Sequence, residues 1–181
     1  LIADENVVIT ISHAGYIKRT NLTEYKTQNR GGVGQKSAGT RDQDFLEHMF
    51  VATNHQYMMF FTQKGKCFWM RVYEIPEGTK TAKGRAIQNL VNIESDDKVK
   101  AYICTQDLKD KDYINSHNLI MVTKQGQVKK TSLEKYSKPR VNGVAAITIK
   151  EGDELLEAKL TNGESQIILA VKSGKLVRFE E

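Results

Sequence analysis

The sequence predicts an all-β protein whose repeats have the size of propeller blades. Two observations carry this prediction. Four hairpin-like segments recur along the 181 residues, each an apolar run, a polar turn ending in glycine, and a second run that becomes basic. The chain also has only two prolines and almost no helical periodicity. A unit of about 50 residues with about four short strands matches one blade, and a solenoid of β repeats is the alternative.

The first observation rests on a register that extends well beyond each turn. We call the glycine that ends each turn the hairpin glycine; these are Gly15, Gly65, Gly126 and Gly174. Apolar residues recur two positions later (Ile17, Cys67, Val128, Leu176) and ten positions later (Tyr25, Ile75, Tyr136). A second glycine follows in the first three repeats, at Gly34, Gly84 and Gly143, and then an acidic patch, at Asp42/Asp44, Asp96/Asp97 and Asp153. Because chance does not keep such spacing three times, we interpret these segments as true repeats.

The repeats also predict the domain organisation. Another apolar stretch follows each acidic patch, and a charged insertion over residues 106–116 lengthens the middle period. The chain starts at Leu1 and stops just after its fourth hairpin. We therefore expect residues 1–181 to be a single partial domain, with three complete repeats plus the hairpin of a fourth, excerpted from a longer chain.

Composition excludes several classes of protein. An apolar fraction of 39% is enough to bury a core, whereas the longest apolar runs are far shorter than the ~18 residues of a membrane helix. Cys67 and Cys104 lack CxxC spacing, and the simplest interpretation is two buried thiols in a reducing compartment. The four histidines are not spaced as metal ligands, so we expect no metal site.

Positive charge is concentrated in the same part of every repeat. The segments from hairpin to second glycine, residues 12–36, 64–85, 124–140 and 172–178, carry net charges of +4, +4, +5 and +3, although the whole chain carries only +5. A radial arrangement of blades would join these segments into one basic band, which is a track for a polyanion. The alternative is that the excess only keeps a repeat protein soluble.

One loop stands out within the first basic segment. Residues 28–36 place Arg30, Lys36 and three glycines in nine positions, so the loop can present bare N–H groups and cations to a phosphate. It is not a nucleotide-binding P-loop, because Gln35 stands where that motif needs glycine. The alternative is a surface connection with tight turns. Phe60, Phe61, Phe68 and Trp69 occupy hairpin positions, where we expect core packing and not base stacking.

The repeat and the loop together resemble the C-terminal domain family of the gyrase A protein of DNA gyrase, a type II topoisomerase, over the whole chain. Residues 28–34 are similar to the gyrase A box of that family, usually Gln-basic-Arg-Gly-Gly-basic-Gly. Asn29 and Val33 replace the two variable basic residues, and the matching positions are Gln28, Arg30, Gly31, Gly32 and Gly34. The resemblance implies a propeller-like β-pinwheel, in this family one of six blades.

The resemblance also implies a function. Domains of this family bind duplex DNA without sequence preference, bend it and wrap it chirally, which lets the gyrase holoenzyme introduce negative supercoils. It implies no catalysis within this chain, because the DNA-cleaving tyrosine lies in the N-terminal part of gyrase A. It implies no cofactor here either, since ATP and Mg²⁺ belong to other parts of the holoenzyme. The implied partners are double-stranded DNA, the N-terminal domain of gyrase A, and gyrase B in an A2B2 assembly, in the cytoplasm with the nucleoid and without a membrane.

We expect cations of the basic segments to contact phosphates, which position DNA without reading its sequence. Besides the box residues, the predicted contacts are Lys18, Arg19, Lys36, Arg71, Lys83, Arg85, Lys129, Lys130, Lys138, Arg140, Lys175 and Arg178. Three alternatives stay open: the related domain of topoisomerase IV, whose box is degraded or missing, a propeller that binds acidic proteins, and an enzyme with a site in a central channel.

Overall fold

The computed structural model describes residues 1–26, 44–164, 166–170 and 176–181. These residues are mostly strands, which confirms the predicted fold class. The strands are β1 (Asn6–Ser12), β2 (Tyr16–Asn21), β3 (Leu46–Thr53), β4 (Tyr57–Thr62), β5 (Lys66–Arg71), β6 (Arg85–Ala86), β7 (Val99–Thr105), β8 (Asn118–Thr123), β9 (Val128–Ser132), β10 (Val144–Ala145), β11 (Leu155–Thr161), β12 (Gln166–Ala170) and β13 (Leu176–Glu180). Two short helices are α1 (Thr23–Lys26) and α2 (Lys111–Ser116).

Each predicted hairpin forms an antiparallel pair. The pairs are β1 with β2, β4 with β5, β8 with β9, and β12 with β13. Gly15, Gly65 and Gly126 adopt φ values of 86°, 86° and 88°, a region that side chains with a Cβ atom disfavour. The N–H of each of these glycines closes the turn on the carbonyl three residues earlier, at 2.9 to 3.0 Å. The turn position therefore requires glycine, which explains the regular spacing in the sequence.

The sheets exchange strands between repeats, which the spacing alone does not predict. In the first sheet the order is β3-β1-β2-β6, and in the second it is β10-β5-β4-β7. The third sheet has the order β11-β8-β9, and β12 and β13 form the fourth. Thus β6 and β10, which follow the second glycine of one repeat, pair with the hairpin of the preceding repeat. A blade is therefore completed by its neighbour in sequence.

The acidic patches hold the hairpin turns. A carboxylate oxygen of Asp44 accepts the N–H of Ala14 at 2.9 Å, and Asp153 accepts that of Gln125 at 2.9 Å. Asp97 accepts the N–H of Lys64 at 3.1 Å in the same way. Each of these aspartates also accepts the N–H of its own following residue, at 2.8 to 3.0 Å. The repeated acid is thus a structural clamp between the last strand of a sheet and the turn of its hairpin.

Apolar faces of successive sheets pack against each other. Phe60 and Phe61 are fully buried on opposite faces of β4, so each belongs to a different core cluster. Phe68 is also buried, and Trp69 is half-buried, which confirms that these rings are packing residues. The insertion over 106–116 contributes to one cluster, because Leu108 and Ile114 are buried there. Asp110 caps the N-terminus of α2 by accepting the N–H groups of Asp112 and Tyr113.

Both cysteines are free thiols. Cys67 is buried and Cys104 is half-buried, and burial raises the pKa of both, that of Cys104 to about 11. A high pKa keeps a thiol protonated and unreactive at neutral pH. The two residues therefore serve packing, as the sequence suggested.

Candidate nucleic-acid interface

The basic residues lie towards one edge of each sheet. The acidic patches precede β3, β7 and β11 at one edge, while the basic strands β2, β5 and β9 lie on the other side of the first hairpin strands. Two stretches of chain connect these basic sides. We call residues 72–86 and 133–145 the first and second crossing segments, because each leaves one sheet and ends as a strand in the preceding sheet. The basic sides of the first three sheets are thereby joined covalently.

The first crossing segment is hydrogen-bonded along β2. The backbone of Arg19 donates to Pro76 O at 2.9 Å and accepts from Gly78 N at 3.0 Å. The Nε–H of Arg19 donates to Ile75 O at 3.1 Å. In the second crossing segment, the Nε1–H of Trp69 donates to Tyr136 O at 3.1 Å. Arg19 and Trp69 both lie four residues after a hairpin glycine, so the two segments are held at equivalent positions by N–H donors of different side chains.

The second glycines permit the crossing segments to approach the strand. Gly84 has a φ of 86°, and a Cβ atom there would lie 2.5 Å from Ile17 O. Gly143 has a φ of 71°, and a Cβ atom there would lie 2.8 Å from Cys67 O. Any side chain would therefore clash with backbone as well as strain the dihedral angle. These two glycines serve strand exchange; their spacing in the sequence reflects this contact.

The crossing segments carry exposed cations. Lys83 and Arg85 are exposed on the first segment, and Lys138 and Arg140 are exposed on the second. The ammonium of Lys83 lies 4.1 Å from the centre of the Tyr16 ring, which orients it without neutralising its charge. The remaining exposed cations among the predicted contacts are Lys129 and Lys130 on β9, and Arg178 on β13.

Lys18 has a different role from the predicted phosphate contact. Its side chain is only 8% exposed, and its ammonium donates to Thr79 O, Lys80 O and Ala82 O at 3.0, 2.6 and 2.7 Å. Burial lowers the pKa of Lys18, and nearby Glu24 partly opposes that shift. Because the ammonium is enclosed by carbonyl groups, it holds the first crossing segment against β2 and does not face solvent.

Arg19 and Arg71 are also engaged within the protein. Arg19 is half-buried by the contact with Ile75 described above. The guanidinium of Arg71 lies 4.4 Å from the centre of the Tyr57 ring and donates to His55 O at 3.3 Å. It lines a cleft of 720 Å³ at the end of β5 that is far from the hairpin turn. Arg71 therefore lies apart from the exposed cations of the crossing segments.

Part of the positive charge counted in the sequence is neutralised. Lys64 forms ion pairs with Glu94 at 3.1 Å and Asp96 at 2.5 Å, and Lys66 pairs with Glu94 at 3.0 Å. The acidic patch of the second repeat thus compensates the turn lysines of the same repeat. Lys135, which the sequence did not single out, lines a cleft with Lys129, Lys138 and Arg140. Only its place in the basic segment 124–140 could have indicated it.

The remaining predicted site residues lie outside the described residues. They are the box residues Gln28, Arg30, Gly31, Gly32 and Gly34, together with Lys36 and Lys175. In the described part of the chain, no group of three or more His, Cys, Asp or Glu side chains is placed to hold a metal ion. No helix formed by the described residues has the length and apolarity to cross a membrane.

The chain is similar to known proteins over its whole length. It is 42% identical to the gyrase A protein of Buchnera aphidicola subsp. Baizongia pistaciae and 41% identical to that of Neisseria gonorrhoeae, over 100% of this chain in both cases. It spans only 21% and 19% of the length of these curated relatives.

Two solved structures share the fold. A crystal structure of the C-terminal domain of DNA topoisomerase IV has a TM-score of 0.80 and 29% identity, with 99% of this chain and 53% of that chain covered. A structure of the DNA gyrase A C-terminal domain has a TM-score of 0.68 and 23% identity, with 97% and 55% covered.

The family comparison agrees with the repeats found in the sequence and with the strand-exchanged sheets of the structure. The family described as "DNA gyrase C-terminal domain, beta-propeller" matches residues 6–53, 56–116 and 117–162, one match per repeat and together most of the chain. This protein therefore belongs to the DNA gyrase C-terminal domain family of β-propellers.

Proposed function

We propose that this chain binds duplex DNA without sequence preference and bends it along its basic sides. The observation that carries the proposal is the row of exposed cations on the two crossing segments, Lys83, Arg85, Lys138 and Arg140. Since each crossing segment bridges two sheets, these cations follow the join between consecutive sheets. Phosphate contacts of this kind fix the position of DNA and carry no sequence information.

The described ion pairs leave these cations available. Lys64, Lys66 and Lys100 pair with carboxylates, and none of these three is in the proposed row. Neutralising phosphates releases counterions, so many weak contacts jointly supply the binding free energy. Bending 20–30 bp by 40–90° costs on the order of 1–6 kcal/mol, which such contacts can offset. Lys130 and Arg178 extend the row to the third and fourth sheets.

We further propose that the bend is a chiral wrap used by a DNA gyrase. In this proposal the box residues grip a phosphate through Arg30 while Gly31 and Gly32 allow close backbone approach. The chain itself is not catalytic, and the DNA-cleaving tyrosine lies in another part of gyrase A. The assembly is an A2B2 holoenzyme that acts on the nucleoid in the cytoplasm and uses ATP and Mg²⁺ at sites outside this chain. The identity of the curated relatives as gyrase A proteins supports this proposal.

A second candidate is the DNA-binding role of a topoisomerase IV C-terminal domain. The higher TM-score of that structure, 0.80 against 0.68, favours it. The five matching residues of the box favour a gyrase, because the related domain has a degraded or missing box.

One experiment tests binding and wrapping separately. A plasmid is relaxed in the presence of the chain, and the change in linking number is measured alongside affinity for random-sequence duplex DNA. We expect salt-dependent affinity and a linking-number change of one sign. Alanines at residues 28–34 should abolish the linking-number change and leave most of the affinity. Affinity without any chiral bias would support the topoisomerase IV role, and no affinity at low salt would refute DNA binding.

A further inference from the structure

The third hairpin carries a cleft that matches an occupied site on the first hairpin. The cleft has a volume of 340 Å³ and lies beside β9. Its lining residues are Lys129, Thr131, Glu134, Lys135, Tyr136, Lys138, Arg140, Val144 and Ala145. Lys129 and Thr131 lie three and five residues after the hairpin glycine Gly126, as Lys18 and Thr20 do after Gly15. The comparison of these two hairpins indicates what the cleft can receive.

On the first hairpin, the equivalent residues hold the first crossing segment. Lys18 donates to three carbonyl groups of residues 79–82, and the hydroxyl of Thr20 donates to Gly78 O at 2.9 Å. Glu24 closes the far side by accepting the N–H of Lys80 at 3.2 Å. This receiving site therefore recognises a loop by its backbone carbonyl groups, with a carboxylate at the tip of the loop.

On the third hairpin, the same groups lack such partners among the described residues. The hydroxyl oxygen of Thr131 is buried without a hydrogen bond of normal geometry, although it lies close enough to Tyr136 to influence the pKa of that phenol. Lys129 donates to one carbonyl, Ala146 O, at 2.8 Å. A buried hydroxyl without a partner is costly, so its presence points to an acceptor that binds there.

The edge of β9 shows the same difference. Ile17 and Cys67, two residues after their hairpin glycines, are fully buried beneath β6 and β10. Val128 occupies the equivalent position on β9 and is 39% exposed. No described strand pairs with the outer edge of β9. Exposed sheet edges next to apolar side chains are sites at which further strands pair.

The two occupied receiving sites differ in chemistry, and the third resembles the first. At the second hairpin the positions of Lys18 and Thr20 are taken by Phe68 and Met70, which are buried apolar residues. Lys129 and Thr131 restore the lysine and threonine. However, Lys135 occupies the position of Glu24, nine residues after the hairpin glycine. The third site therefore selects a carbonyl-presenting loop, as the first does, but with the opposite charge at the tip of the loop.

We infer that the cleft and the edge of β9 form a receiving site for the crossing segment of another repeat unit of this type, and that this segment carries an acidic residue at its loop tip. The segment would supply carbonyl groups to Lys129 and Thr131, a glycine with positive φ, and a two-residue strand that covers Val128. The inference concerns assembly between units and does not depend on DNA binding.

A peptide experiment tests the inference on the 181-residue chain. The probe is a peptide of residues 75–87 with the substitution Lys80→Glu, and the readout is backbone NMR of the labelled chain during titration. We expect saturable shifts confined to 128–131 and 135. The unsubstituted peptide should bind about fivefold more weakly, because it lacks the acid that faces Lys135.

Two variants control for non-specific binding. A peptide with Gly84→Ala should not bind, since its Cβ atom would clash with the strand as it does at Ile17. The chain variant Thr131→Val should weaken binding about fivefold, whereas Lys159→Gln on the exposed face of β11 should leave it unchanged.

Three outcomes would overturn the inference: no shifts at 128–131, equal binding of the Gly84→Ala peptide, or release of residues 27–43 from the site by the peptide. The last outcome would mean that the chain's own box segment occupies the cleft.

Discussion

The indole N–H of Trp69 donates to the backbone carbonyl of Tyr136 at 3.1 Å, across the boundary between the second and third repeats. Arg19 makes the equivalent contact to Ile75 across the preceding boundary, also at 3.1 Å. These contacts hold each crossing segment at the same point, ten residues after its hairpin glycine. Since the crossing segments carry the exposed cations, the spacing of the DNA-binding row depends on contacts between repeats.

Replacing Trp69 with phenylalanine should loosen the second crossing segment. The change keeps an aromatic ring but removes the donor for Tyr136 O, and a lost hydrogen bond costs roughly 1 kcal/mol of unfolding free energy. Urea denaturation followed by circular dichroism measures this cost. As a control, Tyr73→Phe removes a hydroxyl that makes no hydrogen bond to another described residue. Equal stability of Trp69→Phe and the parent protein would show that the contact is not stabilising.

The glycines at the strand exchange should be far less tolerant than those in open turns. Gly15→Ala meets no atom within 4 Å, so it should cost only the positive φ, about 1–2 kcal/mol. Gly84→Ala has the same φ of 86° but also places Cβ 2.5 Å from Ile17 O, so we expect a larger loss. Chemical denaturation of both variants measures the difference. Identical losses would mean that β6 shifts at no cost.

Acid should weaken the clamp formed by Asp153. Partial burial alone would raise the pKa of this carboxyl, but hydrogen bonds from Thr123, Gln125 and Glu154 outweigh it and lower the pKa below its usual value of 3.8. A lowered pKa in the folded state means that the stabilisation is fully present above about pH 4 and is lost as the pH falls through the folded pKa. The variant Asp153→Asn should therefore show a smaller loss of stability between about pH 5 and 3.

Urea titrations at a series of pH values measure this dependence. Glu151→Gln is the matched control, because Glu151 is an exposed acid in the same turn region. Parallel pH profiles for Asp153→Asn and the parent protein would contradict the clamp.

Lys18 and Lys130 should separate stability from DNA affinity. Lys18→Met removes the donor to three carbonyl groups and should lower the unfolding free energy by about 1–3 kcal/mol. It should not change the slope of log affinity against log salt, since its ammonium does not face solvent. Lys130→Gln on exposed β9 should do the reverse, reducing the slope by about 0.9 with little effect on stability. Salt-dependent anisotropy with a random duplex and thermal denaturation provide the two readouts. A changed slope in Lys18→Met would restore Lys18 to the DNA-binding row.

Much of the fold follows from local sequence features. The hairpins were predictable because a positive-φ turn needs glycine, and Gly15, Gly65 and Gly126 mark it at regular spacing. The aromatic core was predictable as well, since Phe60 and Phe61 alternate along an apolar strand. The helix α2 was not, because the insertion 106–116 is mostly polar and only Leu108 and Ile114 anchor it in the core.

The candidate site was predictable only in part. Sequence located the basic segments, but it treated Lys18, Lys83 and Lys64 alike. In the structure the first is enclosed by carbonyl groups, the second is exposed, and the third is paired with Glu94 and Asp96. Net charge per segment cannot distinguish these states, because the partners of Lys18 and Lys64 lie 30 to 64 residues away.

By itself the sequence determined that the protein repeats a hairpin, a basic strand, a second glycine and an acid. These features are local and follow from turn geometry and strand periodicity. Only the tertiary structure decided that β6 and β10 complete the sheet of the preceding repeat, and thereby which cations remain exposed. The physical reason is that Gly84 and Gly143 lack a Cβ atom against the carbonyl oxygens of Ile17 and Cys67, a contact between distant segments that a spacing pattern cannot show.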